Sequence, residues 1–221
     1  RAWLQLEPNN SLALFTHAWC TLMVGEYAEA VQTLHQALKI DPLNPNIHNL
    51  LAFCLYEQRK VDDAIQEFKL AERFSRAGAK QRSGFHATEL AAEMNIALVF
   101  ACRSRFEESR EVIAKLLRER PTDPNVRAIQ AYILALEGQT AAASKIASAV
   151  LSEKGNELIA LAVVALSLCE IREGTSSAAI ARLKKLVQHE PNSAFVHYQL
   201  ANAYLAAGES EQSIKTVQQA L

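Results

Sequence analysis

Four cysteines, six histidines and two acidic pairs are the residues of this sequence best equipped for metal or nucleophilic chemistry. Cys20, Cys54, Cys102 and Cys169 show no CxxC or other ligand spacing, and His17, His35, His48, His86, His189 and His197 are scattered. A metal site would need several of them to converge at bonding distance, whereas neighbouring helices sit roughly 8–10 Å apart. There is no HExxH, GxSxG, P-loop or GxGxxG. Asp62-Asp63 and Glu107-Glu108 read as first-turn residues of helices, where carboxylates meet the positive dipole end, and not as acid–base dyads. The expectation is no catalytic residue, no metal and no cofactor. A chain of this size needs no disulfide staples, so the cysteines read as free buried thiols, which favours a reducing, cytoplasmic setting.

Composition narrows the class further. Half of the 221 residues are apolar and 21% are charged, enough for a sizeable core and too few charges for a disordered chain. Net charge is −1, so no strong field steers the surface toward nucleic acid or an anionic membrane. The most apolar stretch, Leu158 to Cys169, falls short of the roughly 18–20 residues of a membrane span and is closed by Glu170 and Arg172. Arg1 at the start, and Ala220-Leu221 inside a helical pattern, predict a piece of a longer protein.

The elements that position these residues follow a period. Pro8 and Pro42 are 34 residues apart, Pro121 and Pro191 are 70 apart, and Pro42 and Pro121 are 79 apart. One 34-residue period with two insertions accounts for these four prolines. Pro45 and Pro124 each follow a period proline by three residues, at first helical positions where a missing N–H is harmless. After each proline come two amphipathic segments of about fourteen residues. The breaks between them fall at Gly25, Gly138, Gly174 and Gly208, with Arg59 and Ser104 standing in place of glycine twice. Each unit is therefore a helix–turn–helix. His48 and His197 occupy equivalent places, as do Cys20, Cys54 and Cys169, which predicts packing roles set by the repeat.

Gly25-Glu26-Tyr27-Ala28-Glu29-Ala30, followed by Leu34, Ala37 and Asp41-Pro42, resembles the second half of the tetratricopeptide repeat. Leu200-Ala201, Tyr204, Gly208 and Ala220-Leu221 resemble its first half and on through the second helix. Small residues recur at the close-approach positions: Ala52, Ala64, Ala97, Ala131, Ala143 and Ala179, with Ser109 standing for one alanine. The resemblance implies an all-α, right-handed superhelical solenoid running through residues 1–221. A partial helix at 1–7 precedes repeats at about 11–44, 45–78, 90–123, 124–157 and 160–193, then an incomplete one at 194–221. An insertion at 79–89 separates the second and third. A loop is expected from Arg76 to Gly84, locally basic through Arg73, Arg76, Lys80 and Arg82.

In such arrays the first helix of each unit lines the binding face, so stepping one period at a time collects the candidate residues. One column contains Trp19, Phe53, Leu98, Tyr132, Leu168 and Asn202; a turn earlier lie Phe15, Asn49, Met94, Val164 and Tyr198. Asn46, Asn125 and Phe195 extend the face on one side, and Leu22 and Tyr56 on the other. This face is apolar and aromatic, punctuated by asparagines. Family members that hold acidic chaperone tails place Lys and Arg here, so tail capture is not expected where Phe15 and Trp19 stand. A peptide or helix with apolar anchors suits the face better, its backbone meeting the asparagine amides. The predicted function is a protein–protein interaction scaffold without enzymatic activity, nucleic-acid binding or membrane insertion. A recruiting arm of an enzyme whose catalytic domain lies elsewhere, or a self-assembly module joining through open solenoid ends, are the alternatives.

Overall fold

The computed structural model describes residues 7, 9–79, 86–153, 155 and 159–219. Those residues form twelve helices and no strand: α1 (Ser11–Met23), α2 (Tyr27–Ile40), α3 (Pro45–Glu57), α4 (Val61–Ala79), α5 (His86–Cys102), α6 (Phe106–Glu119), α7 (Pro124–Glu137), α8 (Thr140–Ser152), α9 (Ala160–Arg172), α10 (Ser176–His189), α11 (Ala194–Ala206) and α12 (Ser210–Gln219). The expected partial helix falls largely outside the described residues. The chain divides into two compact units, residues 1–99 and 100–221. In the first, α1 packs on α2, α2 on α3 and α3 on α4; in the second, each helix from α6 to α12 packs on the next.

The breaks obey the backbone geometry that their residues allow. Gly25, Gly138, Gly174 and Gly208 turn with φ between 79° and 89°, and Arg59 and Ser104 adopt the same left-handed conformation at 65° and 58°. Helix starts are capped: Asn10 Oδ1 accepts from the N–H groups of Leu12 and Ala13, and Asp123 Oδ1 from those of Asn125 and Val126. Pro45 and Pro124 occupy the first turns of α3 and α7. At the far end of α7, Arg172 of α9 donates to the Ala135 and Leu136 carbonyls, where a cation meets the negative end of the dipole.

Close helix approach is made by the small residues. Ala52, Ala64, Ala97, Ala131, Ala143, Ala179 and Ser109 are all fully buried. Around them in the first unit, Leu14, Leu34, Ile47, Leu50, Leu51 and Cys54 form one cluster joining α1, α2 and α3. Burial of this kind, at about 25 cal/mol per Å², holds each helix pair to the next.

Two expectations are corrected. The segment after Ser75 is not all loop, since α4 continues to Ala79; α5 begins at His86, close to where the loop is expected to end. Arg76, within the extended end of α4, ties α4 to α5, paired with Glu72 (3.3 Å), Glu93 (2.7 Å) and Glu89. Lys80, Arg82 and Gly84 lie outside the described residues. The second correction concerns the thiols, since Cys54 and Cys169 are buried but Cys20 and Cys102 are exposed. Cys54 sits in the cluster between its own helix pair and the pair before it. The equivalent Cys20 lies on α1, before which no helix pair is among the described residues, and is exposed.

Candidate partner-binding face

His48 and His197 share a role that exceeds packing. In each, Nε2 bonds the carbonyl of a period proline, Pro42 at 3.0 Å and Pro191 at 2.8 Å, fixing the turn that leads into the next helix. His48 has a second partner, Glu67 of α4, at 2.6 Å from Nδ1. Both ring nitrogens thus face acceptors, which only the doubly protonated ring satisfies. Burial lowers its pKa, but the Glu67 hydrogen bond, the Pro42 carbonyl and the Glu67 charge together outweigh that and raise it above the ordinary 6.5. At the place of Glu67 the last unit carries Thr216, and the buried Nδ1 of His197 has no hydrogen-bond partner among the described residues. A histidine six residues after a period proline was the sequence signal for this contact.

The predicted partner-binding residues fall into two groups, one in each unit. In the first, Trp19 is 48% exposed and Phe53, one period on, 37% exposed. Phe53 is not loose: its ring meets the buried Phe68 edge-on, with centroids 5.3 Å apart. Phe15, Leu22 and Tyr56 are half-buried against the core cluster, and Met94 and Leu98 on α5 are half-buried as well. Between α1 and α3, Leu12, Phe15, Asn44, Asn46 and Ile47 line a hollow of about 100 Å³. Asn46 and Asn49 are brought together with α5 rather than left free: Asn46 accepts from Thr88 at 2.8 Å and Asn49 from Asn95 at 3.4 Å.

In the second unit, Asn125, Phe195 and Tyr198 are exposed and Asn202 is half-buried. Tyr132 departs from the expectation, being only 6% exposed. Its ring meets Phe195 edge-on across α9, centroids 6.2 Å apart, and Val164 of α9 is fully buried. The side chains of α7 and α11 therefore cover one another here. No cluster of three or more His, Cys, Asp or Glu residues able to hold a metal occurs among the described residues. No helix among them is long and apolar enough to cross a membrane.

Residues 2–70 match the family model of the anaphase-promoting complex, cyclosome, subunit 3, and residues 170–221 match a tetratricopeptide repeat model. The chain is a tetratricopeptide repeat protein. No curated protein matches it in sequence. Among solved structures it is similar to TTC0263, a thermophilic tetratricopeptide repeat protein of Thermus thermophilus (TM-score 0.67, 18% identity, covering 89% of this chain and 100% of that one). It is also similar to the APC/C hetero-tetramer Cut9–Hcn1 (0.65, 16%, 99% of this chain and 40% of that one) and to PilW, a type IV pilus biogenesis factor (0.60, 19%, 95% and 91%). The chain thus spans two fifths of the chain it matches in the hetero-tetramer. At these identities the likenesses show the tetratricopeptide fold alone. Such repeats generally mediate protein–protein interactions.

Proposed function

We propose that this tetratricopeptide array is an interaction scaffold that holds a peptide or helix of a partner protein by apolar anchors. The observation that carries the reading is the pair Trp19 and Phe53. These are large aromatics at equivalent places on α1 and α3, left substantially exposed on an otherwise well-packed unit. At the start of the same two helices, the hollow lined by Leu12, Phe15 and Ile47 is of a size to take one side chain. Exposed aromatics over buried support are the usual energetic centres of protein interfaces. No lysine or arginine stands among these residues, so the favoured ligand is apolar rather than acidic. The match of residues 2–70 to a subunit of a large assembly supports the same role. Selection of displayed peptides against the immobilised protein tests the reading. Enriched peptides should share apolar anchors and should lose binding to Trp19→Ala and Phe53→Ala. Peptides that bind these variants as well as the native protein would contradict it.

One observation favours a second reading, end-to-end association. Ile214 and Val217 on α12 are 60% and 42% exposed, whereas Ile180 and Leu183, one period earlier on α10, are buried beneath α11. An apolar face that is covered in one unit and open in the next suits a further helix, and in this reading a second copy of the chain supplies it. A mass measurement over a concentration series separates the readings, since association through α12 needs no peptide.

A further inference from the structure

The junction between α6 and α7 contains a hollow. Ile113, Ala114 and Leu117 of α6, with Ile133 and Leu134 of α7, line a mostly apolar space of about 210 Å³, and Gln130 stands on its rim. That exceeds the roughly 150 Å³ at which an apolar cavity holds a benzene ring.

What fits there is written in the same chain. Two periods on, at the junction of α10 and α11, Lys184 stands at the place of Ala114 and Tyr204 at the place of Leu134. The Tyr204 ring is buried, and the Lys184 ammonium lies over it, 5.5 Å from the centroid. One junction thus carries a buried aromatic ring beneath a cation, where the other carries Leu134 and Ala114 beside an apolar hollow. The rim favours an uncharged guest. Arg110 beside the hollow is already paired with Glu107 and with Glu137 (2.6 Å). The Gln130 amide has no hydrogen-bond partner among the described residues and so can serve a phenol or a backbone group.

We propose that this hollow is a second docking site, which takes one tyrosine-like aromatic side chain from a partner protein. It is separate from the face described above. At 3.6 residues per turn, Gln130 and Leu134 lie on the side of α7 opposite Asn125 and Tyr132. The site therefore belongs to the second unit alone and does not depend on the role of Trp19 and Phe53.

Methyl NMR of the whole chain tests this, with N-acetyl-L-tyrosinamide and N-acetyl-L-leucinamide as probes. The tyrosine probe should shift the Ile113, Ile133 and Leu134 methyls saturably, with a Kd severalfold lower than the leucine probe. Ala114→Phe, a change at an exposed position, should place a ring of the chain's own over the hollow and abolish the shifts. Ala114→Lys with Leu134→Tyr, which copies the other junction, should do the same. Equal shifts from both probes would show an apolar hollow without aromatic preference. No shifts, or shifts that persist in Ala114→Phe, would show that the hollow is not a site. Any of these overturns the proposal.

Discussion

Replacing Arg59 or Ser104 by glycine isolates the backbone contribution to the repeat. Both residues sit at φ near 60°, where an L side chain crowds its own carbonyl at about 1–2 kcal/mol. At the equivalent Gly25, Gly174 and Gly208 a Cβ would meet nothing within 4 Å, so the strain at these turns is local and not a matter of neighbours. Neither side chain makes a hydrogen bond or ion pair among the described residues. The turn bonds, Arg59 N–H to the Tyr56 carbonyl and Ser104 N–H to that of Ala101, survive the change. Glycine gives back about 0.5–1 kcal/mol through the freedom of the unfolded chain. The expected net gain is about 0.5–1 kcal/mol per site, or roughly 1–4 °C in a chain of this size. Gly174→Ala should lose a similar amount. Urea unfolding followed by far-UV circular dichroism measures these changes, with hydrogen exchange to assign them, because repeat units need not unfold together. Neutral or destabilising results for both glycine variants, with Gly174→Ala also neutral, would refute the strain argument.

Glu67→Gln should destabilise the first unit by about 1.5–3 kcal/mol at pH 6 by removing a charge-assisted hydrogen bond from buried His48. The folded pKa of His48 is raised, so this contribution is complete below about 6.5 and is lost as pH rises through the folded value. Parallel curves for the two proteins across that range would count against the pairing. Cys20 and Cys102 should react with a thiol reagent in the native state, while Cys54, whose pKa burial pushes up to about 11, and buried Cys169 should wait for denaturant. Fast native labelling of all four would place the helices wrongly. Ile214→Lys with Val217→Glu should suppress concentration-dependent association seen by light scattering, and unchanged association would clear α12 of that role.

The fold was legible because the period is enforced by residues with few substitutes. Proline marks where a helix starts, glycine marks the left-handed turn, and alanine marks where two helices touch. Even Arg59 and Ser104 could be placed, since position in the period outweighed residue type. The candidate face was legible only as columns. A step of one period finds equivalent positions but not what lies opposite them. Hence Cys20 and Cys54 differ in burial, and Phe53 stays exposed while Tyr132 meets Phe195. The end of α4 was misread because Arg76 looks like a loop residue until Glu72, Glu89 and Glu93 are brought around it. The hollow at α6 and α7 left one trace in the sequence. Ala114 is the smallest residue at a place where other units carry His35, Lys69, Ser148, Lys184 and Gln218.

The claim that Trp19 and Phe53 bind a partner rather than hold the fold is tested most directly by measuring stability and affinity on the same variants. Leu34 is fully buried, and its replacement by alanine should cost about 2–5 kcal/mol of stability. Trp19→Ala and Phe53→Ala remove half-exposed rings and should melt close to the native protein. Their affinity for a selected peptide should fall by about 2 kcal/mol or more, roughly thirtyfold. Melting as severe as that of Leu34→Ala, or affinity left unchanged, would contradict the account.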